Sequence, residues 1–164
     1  MSLDEETGHL EWRDTYFIFF PQAKRPTLTQ VEDALSRASR RITLENLEAD
    51  DDGLFQSILI QAPDDNAALE VSYESGEAVI EQSASLAKQL RKEITAEQLK
   101  KLVRADARFD VMHFERVTDN MYGDDEDDML SDAMDPTSLL AVLEALSKLT
   151  GGMPIDPASG AMLT

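Results

Sequence analysis

The chain has 164 residues, and its 33 acidic against 15 basic side chains give a formal charge of −18 at pH 7. This length suits one core domain with flanking tails, and the anionic surface disfavours nucleic-acid binding, which needs cationic contacts to phosphate. Cysteine is absent, so disulfides, thiolate metal sites and cysteine nucleophiles are excluded.

A strand and a helix are the first elements predicted, after a flexible N-terminal tail over residues 1–13. The aromatic and β-branched run Tyr16–Phe20 favours a strand that is buried on both faces. Thr27 and Gln30 have the spacing of a capping box, and apolar residues then recur at helical intervals as far as Ala38. The sequence therefore predicts a helix that begins at Thr27.

The next segment predicts a three-stranded antiparallel meander. Arg41–Ala49 and Leu54–Ala62 flank an aspartate-rich turn that ends in Gly53, and Asp-Gly is typical of a chain reversal. A third strand follows at Leu69–Tyr73, where apolar and acidic or polar residues alternate. That alternation indicates one face against the core and one in water.

Two helices and a further strand complete the predicted core. Apolar residues at helical spacing indicate a helix from Glu77 to about Lys92, and Thr95 with Gln98 is a second capping box. Residues 108–117 alternate again and predict a strand. The element order of the core is thus β-α-β-β-β-α-α-β.

Helices interleaved with a meander indicate an α+β core domain over residues 14–118. We expect an antiparallel sheet of about five strands with helices on one face, plus a C-terminal amphipathic helix. The nearest common layout is a variant of the ferredoxin-like plait, βαββαβ. The third meander strand and the split second helix depart from that layout.

The C-terminal part divides into three segments by composition. Residues 119–135 contain eight acidic and no basic side chains, which predicts an acidic linker. Residues 136–150 carry a leucine stripe between a first-turn proline and a terminating glycine, and therefore predict an amphipathic helix. Residues 151–164, rich in glycine and proline, are expected to be disordered.

Charge is segregated along the chain. Residues 42–87 hold 11 acidic side chains and no lysine or arginine, whereas residues 88–116 hold 8 basic and 5 acidic side chains. The second group lies mainly on the two predicted adjacent helices and predicts one basic, partner-binding face, which comprises Lys88, Arg91, Lys92, Lys100, Lys101 and Arg104. Either these cations form a solvated face, or the acidic linker folds back on them and competes with a partner.

The leucine stripe of the last helix is the second predicted binding element. Its residues Leu139, Leu143 and Leu146 must be buried, since an isolated helix of about 14 residues is marginally stable. The helix either docks on its own sheet or docks in trans, as a homodimer contact or in a partner's groove.

Catalytic and metal-binding signals are weak. His113 is the one histidine within a predicted element, and Glu115, two residues later, shares its strand face and is placed to orient it. Acidic residues that offer hard oxygen ligands for a divalent ion cluster in the linker, at Asp124, Asp125, Asp127 and Asp128. No phosphate-binding glycine motif is present, and no cofactor is expected.

These features favour a non-enzymatic, cytosolic protein-interaction or regulatory module. The acidic linker and the C-terminal helix are expected to contribute docking or dimerisation, with a protein partner or self-association rather than nucleic acid. No apolar run reaches the roughly 20 residues of a membrane span, so no membrane partner is expected. The alternative function is a small-ligand-binding or enzymatic domain with a pocket near His113.

Overall fold

The computed structural model describes residues 9–117 and 135–163. Its strands are β1 His9–Phe20, β2 Thr43–Ala49, β3 Phe55–Ala62, β4 Ala67–Ser75, β5 Ala107–Val117, β6 Met153–Asp156 and β7 Ala161–Met162. Its α-helices are α1 Leu28–Ala38, α2 Glu77–Leu90, α3 Ala96–Arg104 and α4 Thr137–Thr150. Short 3-10 turns at Gln22–Lys24 and Pro63–Asp65 complete the described elements.

All described strands join one antiparallel sheet in the order β2-β3-β4-β5-β1-β6-β7. The first strand is therefore central, as its unbroken apolar run predicts, although it begins earlier, at His9. Its early residues are mostly polar and pair with the end of β5, where His9 lies opposite Val117. The predicted meander is confirmed as β2, β3 and β4.

Helices cover both faces of this sheet. On one face, α1 and α4 pack over a large apolar cluster that includes Ile18, Phe20 and Phe109. On the opposite face, α2 and α3 pack over a smaller cluster around Phe19 and Ile155. The expectation of helices on one face is therefore corrected, because adjacent side chains of β1 point to opposite faces and both sets are apolar.

Local capping chemistry is confirmed at both predicted positions. Thr27 and Gln30 form a reciprocal capping box at the start of α1, and Thr95 and Gln98 do the same for α3. Each box satisfies two backbone N–H groups that have no partner inside the helix. Both helices begin where the sequence pattern places them.

Residues 151–163 do not form the expected disordered tail. Met153–Asp156 pairs with β1, and a tight turn returns the chain as the two-residue β7. Gly152 permits this pairing, since a Cβ there would lie 2.7 Å from Ile18 Cγ2 and 2.9 Å from the Phe19 carbonyl oxygen. The last helix and strands consequently belong to the same core as residues 14–117, rather than to an appended tail.

The fold is mixed α+β with an antiparallel sheet, as the sequence indicates. Six strands have four residues or more, with the two-residue β7 at one edge, so the predicted count of about five is low. The ferredoxin-like plait is not confirmed, because a plait has four strands and helices on one face. Among the residues that the structure describes, no helix has the length and apolar character to cross a membrane.

Candidate functional site

His113 lies in β5, on the sheet face that α1 and α4 cover. Only 1% of the residue is exposed. Its Nδ1 lies 3.2 Å from Asp14 Oδ1 on the neighbouring strand β1, and its Nε2 is buried without a hydrogen-bond partner among the described residues. The structure thus gives the predicted histidine a carboxylate partner, but a different one from the one the sequence suggests.

Asp14 reaches His113 because β1 is irregular at this point. The register between β1 and β5 shifts between Trp12 and Asp14, and Asp14 then lies directly opposite His113. The second carboxylate oxygen accepts a hydrogen bond from the Tyr16 hydroxyl at 2.8 Å. Burial, together with the hydrogen bond to Asp14, raises the pKa of Tyr16 well above its usual value.

Glu115 does not orient His113. Its carboxylate pairs with Arg13, whose Nη2 lies 2.6 Å from Oε1. Glu115 and His113 lie on one face of β5, as predicted. The Glu115 carboxylate nevertheless pairs with Arg13 of the adjacent strand β1. Cross-strand pairing, which a sequence pattern does not reveal, decides the partner of each group.

A buried carboxylate, Asp65, anchors the start of α4. Asp65 is fully buried, pairs through Oδ1 with Arg41, and accepts the Ser138 backbone N–H through Oδ2 at 2.9 Å. Its own carbonyl oxygen accepts the Asp135 backbone N–H at 3.0 Å. Ser138 Oγ is buried and has no hydrogen-bond partner in the part of the chain that the structure describes. A carboxylate at a helix N-terminus is stabilised by the helix dipole, so Asp65 holds α4 on the sheet.

This polar cluster supports folding better than catalysis. Burial lowers the pKa of His113, against the opposing effect of the nearby Asp14, Asp65 and Glu115, so the imidazole is neutral at pH 7. A general base needs a route for substrate, and His113 has almost no exposed surface. Sequence reasoning missed Asp14, Asp65 and Ser138, since no spacing in the chain relates them to His113.

The six cations of the predicted basic face lie on α2, α3 and the turn between them. All six of its side chains, Lys88, Arg91, Lys92, Lys100, Lys101 and Arg104, are exposed. None of them pairs with a carboxylate within residues 9–117 or 135–163. We call this set the basic helical face.

Two exposed apolar side chains accompany these cations. Ser83 Oγ of α2 donates to the Ala105 carbonyl oxygen just beyond α3, at 3.2 Å, so the first half of α2 lies beside the end of α3. Ile80, in that half of α2, is 45% exposed, and Val103, near the end of α3, is 57% exposed. The helix pair therefore offers apolar surface at one end and cations at both.

The predicted partner-binding leucines lie inside the protein. Leu139, Leu143 and Leu146 of α4 are at most 4% exposed and belong to the apolar cluster under α1 and α4. Docking of the helix on its own sheet accounts for this burial. Leu140, at 56% exposure, is the leucine that α4 presents outward, beside a groove of about 620 Å³ lined also by Pro154 and Leu163.

The predicted metal ligands Asp124, Asp125, Asp127 and Asp128 lie outside the described residues. Among residues 9–117 and 135–163, no group of three or more metal-ligating side chains is placed to hold an ion.

Comparison with protein-family models, with curated proteins and with solved structures finds no match to this chain.

Proposed function

We propose that this protein is a non-enzymatic interaction module whose basic helical face binds an acidic segment of a protein partner. The observation that carries the proposal is the set of six exposed cations without a carboxylate partner in the described structure, in a chain of charge −18. Because carboxylates are in such excess, these cations are expected to pair with carboxylates of the same chain. Cations that stay available are suited to an external anion.

The chemistry of the surface defines the partner. Exposed lysines and arginines already have water around them, so they supply attraction and orientation rather than a large burial energy. Ile80 and Val103 add apolar area beside Arg104. We therefore expect an acidic partner segment that also carries one or two apolar side chains for this end of the helix pair.

Accessibility favours this function over an enzymatic site at His113. A substrate must reach a catalytic group, and His113 is 1% exposed, whereas the basic helical face is open to solvent. A cytoplasmic location is part of the proposal, because a chain without cysteine needs no oxidising compartment to fold.

The role of α4 in docking or dimerisation needs a test on the full chain. Removal of residues 119–164 would delete α4 and β6, which complete the core, so it would unfold the protein rather than release a binding element. The solution mass of the intact protein decides whether it self-associates.

The test of the basic helical face uses a fluorescein-labelled peptide with leucine and glutamate at amphipathic helical spacing. The variant replaces Lys100, Lys101 and Arg104 with glutamine, which removes three charges and keeps good helix formers. We expect the dissociation constant measured by fluorescence anisotropy to rise by at least about ten-fold, since several charge contacts are lost together.

The matched control removes three exposed cations elsewhere, by glutamine substitution of Lys24, Arg37 and Arg40. It lowers the net charge by the same amount, and we expect the affinity to change by less than about two-fold. Equal weakening in both variants, or no binding by the native protein, would contradict the proposal.

A further inference from the structure

Within residues 9–117 and 135–163, the helices α2 and α3 cover only part of the sheet face beneath them. Arg108 lies in the covered half, because it bonds to Gln82 of α2 and pairs with Asp110 on its own strand. The last covered row holds Phe17 and Asp110, since Phe17 packs against the cluster beneath α2 and α3. Nearer the end of the sheet where His9 pairs with Val117, two further rows of side chains lie across the five strands β2, β3, β4, β5 and β1. None of their apolar members belongs to the described cluster beneath α2 and α3.

The first row is aromatic at one end. Across the strands it reads Thr43, Gln61, Ala68, Phe114 and Trp12. Trp12 is 54% exposed and Phe114 is partly exposed, while Ala68 beside Phe114 is fully buried. Arg116, the next residue of β5 on this face, donates from Nη2 to Gln61 Oε1 at 2.5 Å. The Trp12 indole N–H donates to Thr15 Oγ1 at 2.9 Å, so the ring is held in place with its polar group satisfied.

The second row alternates apolar and acidic side chains. It reads Glu45, Leu59, Glu70, Met112 and Thr15. Leu59 and Met112 are partly exposed, and Glu45 and Glu70 are exposed on either side of Leu59. Neither carboxylate has an ion pair within the described structure. A hollow of about 350 Å³ opens beside Leu59 and Glu70.

We propose that these two rows, which we call the open sheet face, bind a cationic amphipathic helix of a protein partner. Tryptophan, phenylalanine and methionine are the side chains enriched at the centres of protein interfaces, whereas lysine and glutamate are depleted there. Trp12, Phe114 and Met112 form such a centre, and Glu45 and Glu70 form its rim. A rigid, half-exposed tryptophan also loses little conformational entropy on binding.

Charge and spacing select the occupant. The rim carboxylates Glu45 and Glu70 stand two strands apart, about 10 Å, since neighbouring strands are about 4.8 Å apart. A helix rises about 1.5 Å per residue, so cations seven residues apart on one helix face match this separation. Apolar side chains midway between those cations then meet Leu59. The net charge of −18 also accelerates the approach of a cationic partner.

The chain offers a direct probe of this site, because Trp12 is its single tryptophan. The experiment titrates the full-length protein with a tryptophan-free peptide of about 14 residues that carries leucine and lysine at amphipathic helical spacing. We expect a saturable blue shift of tryptophan emission as the ring leaves water. The same peptide with glutamate in place of lysine is expected to leave the emission unchanged.

Two charge-reversal variants separate a specific site from general attraction to an acidic protein. Glu70→Lys acts on the rim, and Asp33→Lys makes the same charge change on α1, across the sheet. We expect Glu70→Lys to weaken binding by at least about five-fold and Asp33→Lys by less than about two-fold.

Equal weakening by the two variants, or the absence of a blue shift, would overturn the proposal. A blue shift that depends on protein concentration without peptide would also overturn it, because it would identify a second copy of the chain as the occupant. The glutamine variant of α3 is expected to bind the lysine peptide normally, so failure here is distinguishable from failure of the basic helical face.

Discussion

Polar side chains are bonded within the protein on one face of the sheet and stay exposed on the other. On the face that α1 and α4 cover, His113 is bonded to Asp14, and Asp65 pairs with Arg41 and accepts the Ser138 backbone N–H. On the other face, the basic helical face and the open sheet face keep charged groups exposed and without ion pairs in the described structure. The first arrangement stabilises the native state, and the second leaves charge available for binding.

This contrast separates stability from recognition. A buried carboxylate has lost its hydration and depends on its protein partners, so its removal costs free energy of unfolding. An exposed lysine or glutamate keeps its hydration, and its removal changes the unfolding free energy little. Substitutions on the two faces are therefore expected to affect different measurements.

The largest expected effect is on the covered face, at Asp65. Asp65→Ala removes the ion pair with Arg41 and leaves the Ser138 backbone N–H without its acceptor. We expect the free energy of unfolding to fall by about 3 kcal/mol, as measured by denaturant titration. The exposed neighbour provides the control, since Asp64→Ala is expected to stay within about 0.5 kcal/mol. Similar losses in the two variants would remove the contrast between the faces.

The two proposed binding surfaces on the α2 and α3 side of the sheet are expected to differ in how strongly salt weakens binding. The basic helical face relies on several exposed cations, whereas the open sheet face has an apolar centre with two rim carboxylates. Between about 50 and about 300 mM salt, we expect the glutamate peptide to lose about ten-fold in affinity and the lysine peptide about three-fold. Anisotropy and tryptophan emission measure the two constants. The reverse order would mean that the aromatic centre contributes little to binding.

The pH dependence of stability reports on His113. Because burial lowers its folded-state pKa below the usual 6.5, the unfolded chain takes up this proton first. This contribution to stability is fully present above the unfolded pKa and is lost as the pH falls through the folded value. Between about pH 7.5 and 5.5, we expect the free energy of unfolding to fall more for the native protein than for His113→Gln, as measured by denaturant titration. Parallel pH profiles would show that the imidazole is solvated in the native state.

The smallest effect is expected at an exposed pair on α4. Lys148 Nζ lies 2.8 Å from Glu144 Oε1, one helical turn away, and both side chains are mostly exposed. Lys148→Ala is expected to lower the free energy of unfolding by about 0.4 kcal/mol, with the effect screened by added salt. If the free energy of unfolding fell by more than about 1 kcal/mol, the exposed pair Lys148–Glu144 would contribute to stability as a buried pair such as Arg41–Asp65 does.

The local elements were predictable because their causes are local. The capping boxes at Thr27 and Thr95, the alternation of β4 and the apolar periodicity of α2 each depend on residues a few positions apart. The exposure of the cations on α2 and α3 was predictable for the same reason. The order of the sheet was not predictable, since β1 pairs with β5 and β6 across long stretches of chain.

The candidate sites divide in the same way. The basic helical face follows from charge at helical spacing, but the partner of His113 depends on the register shift between Trp12 and Asp14. The open sheet face is indicated even less by the sequence. Trp12, Phe114 and Leu59 come from three strands, and only the pairing of β1, β3, β4 and β5 places them on one surface.

From its sequence alone, this chain determines an α+β protein with antiparallel strands, capped helices, segregated charge and a leucine-bearing last helix. Local backbone preference, side-chain periodicity and charge fix these properties without reference to distant residues. Tertiary structure alone decides that α4 docks on its own sheet, that residues 153–156 extend the sheet, and that the described helices leave half of one sheet face uncovered. These outcomes depend on which distant strands meet and in which register, and no local interaction encodes that choice.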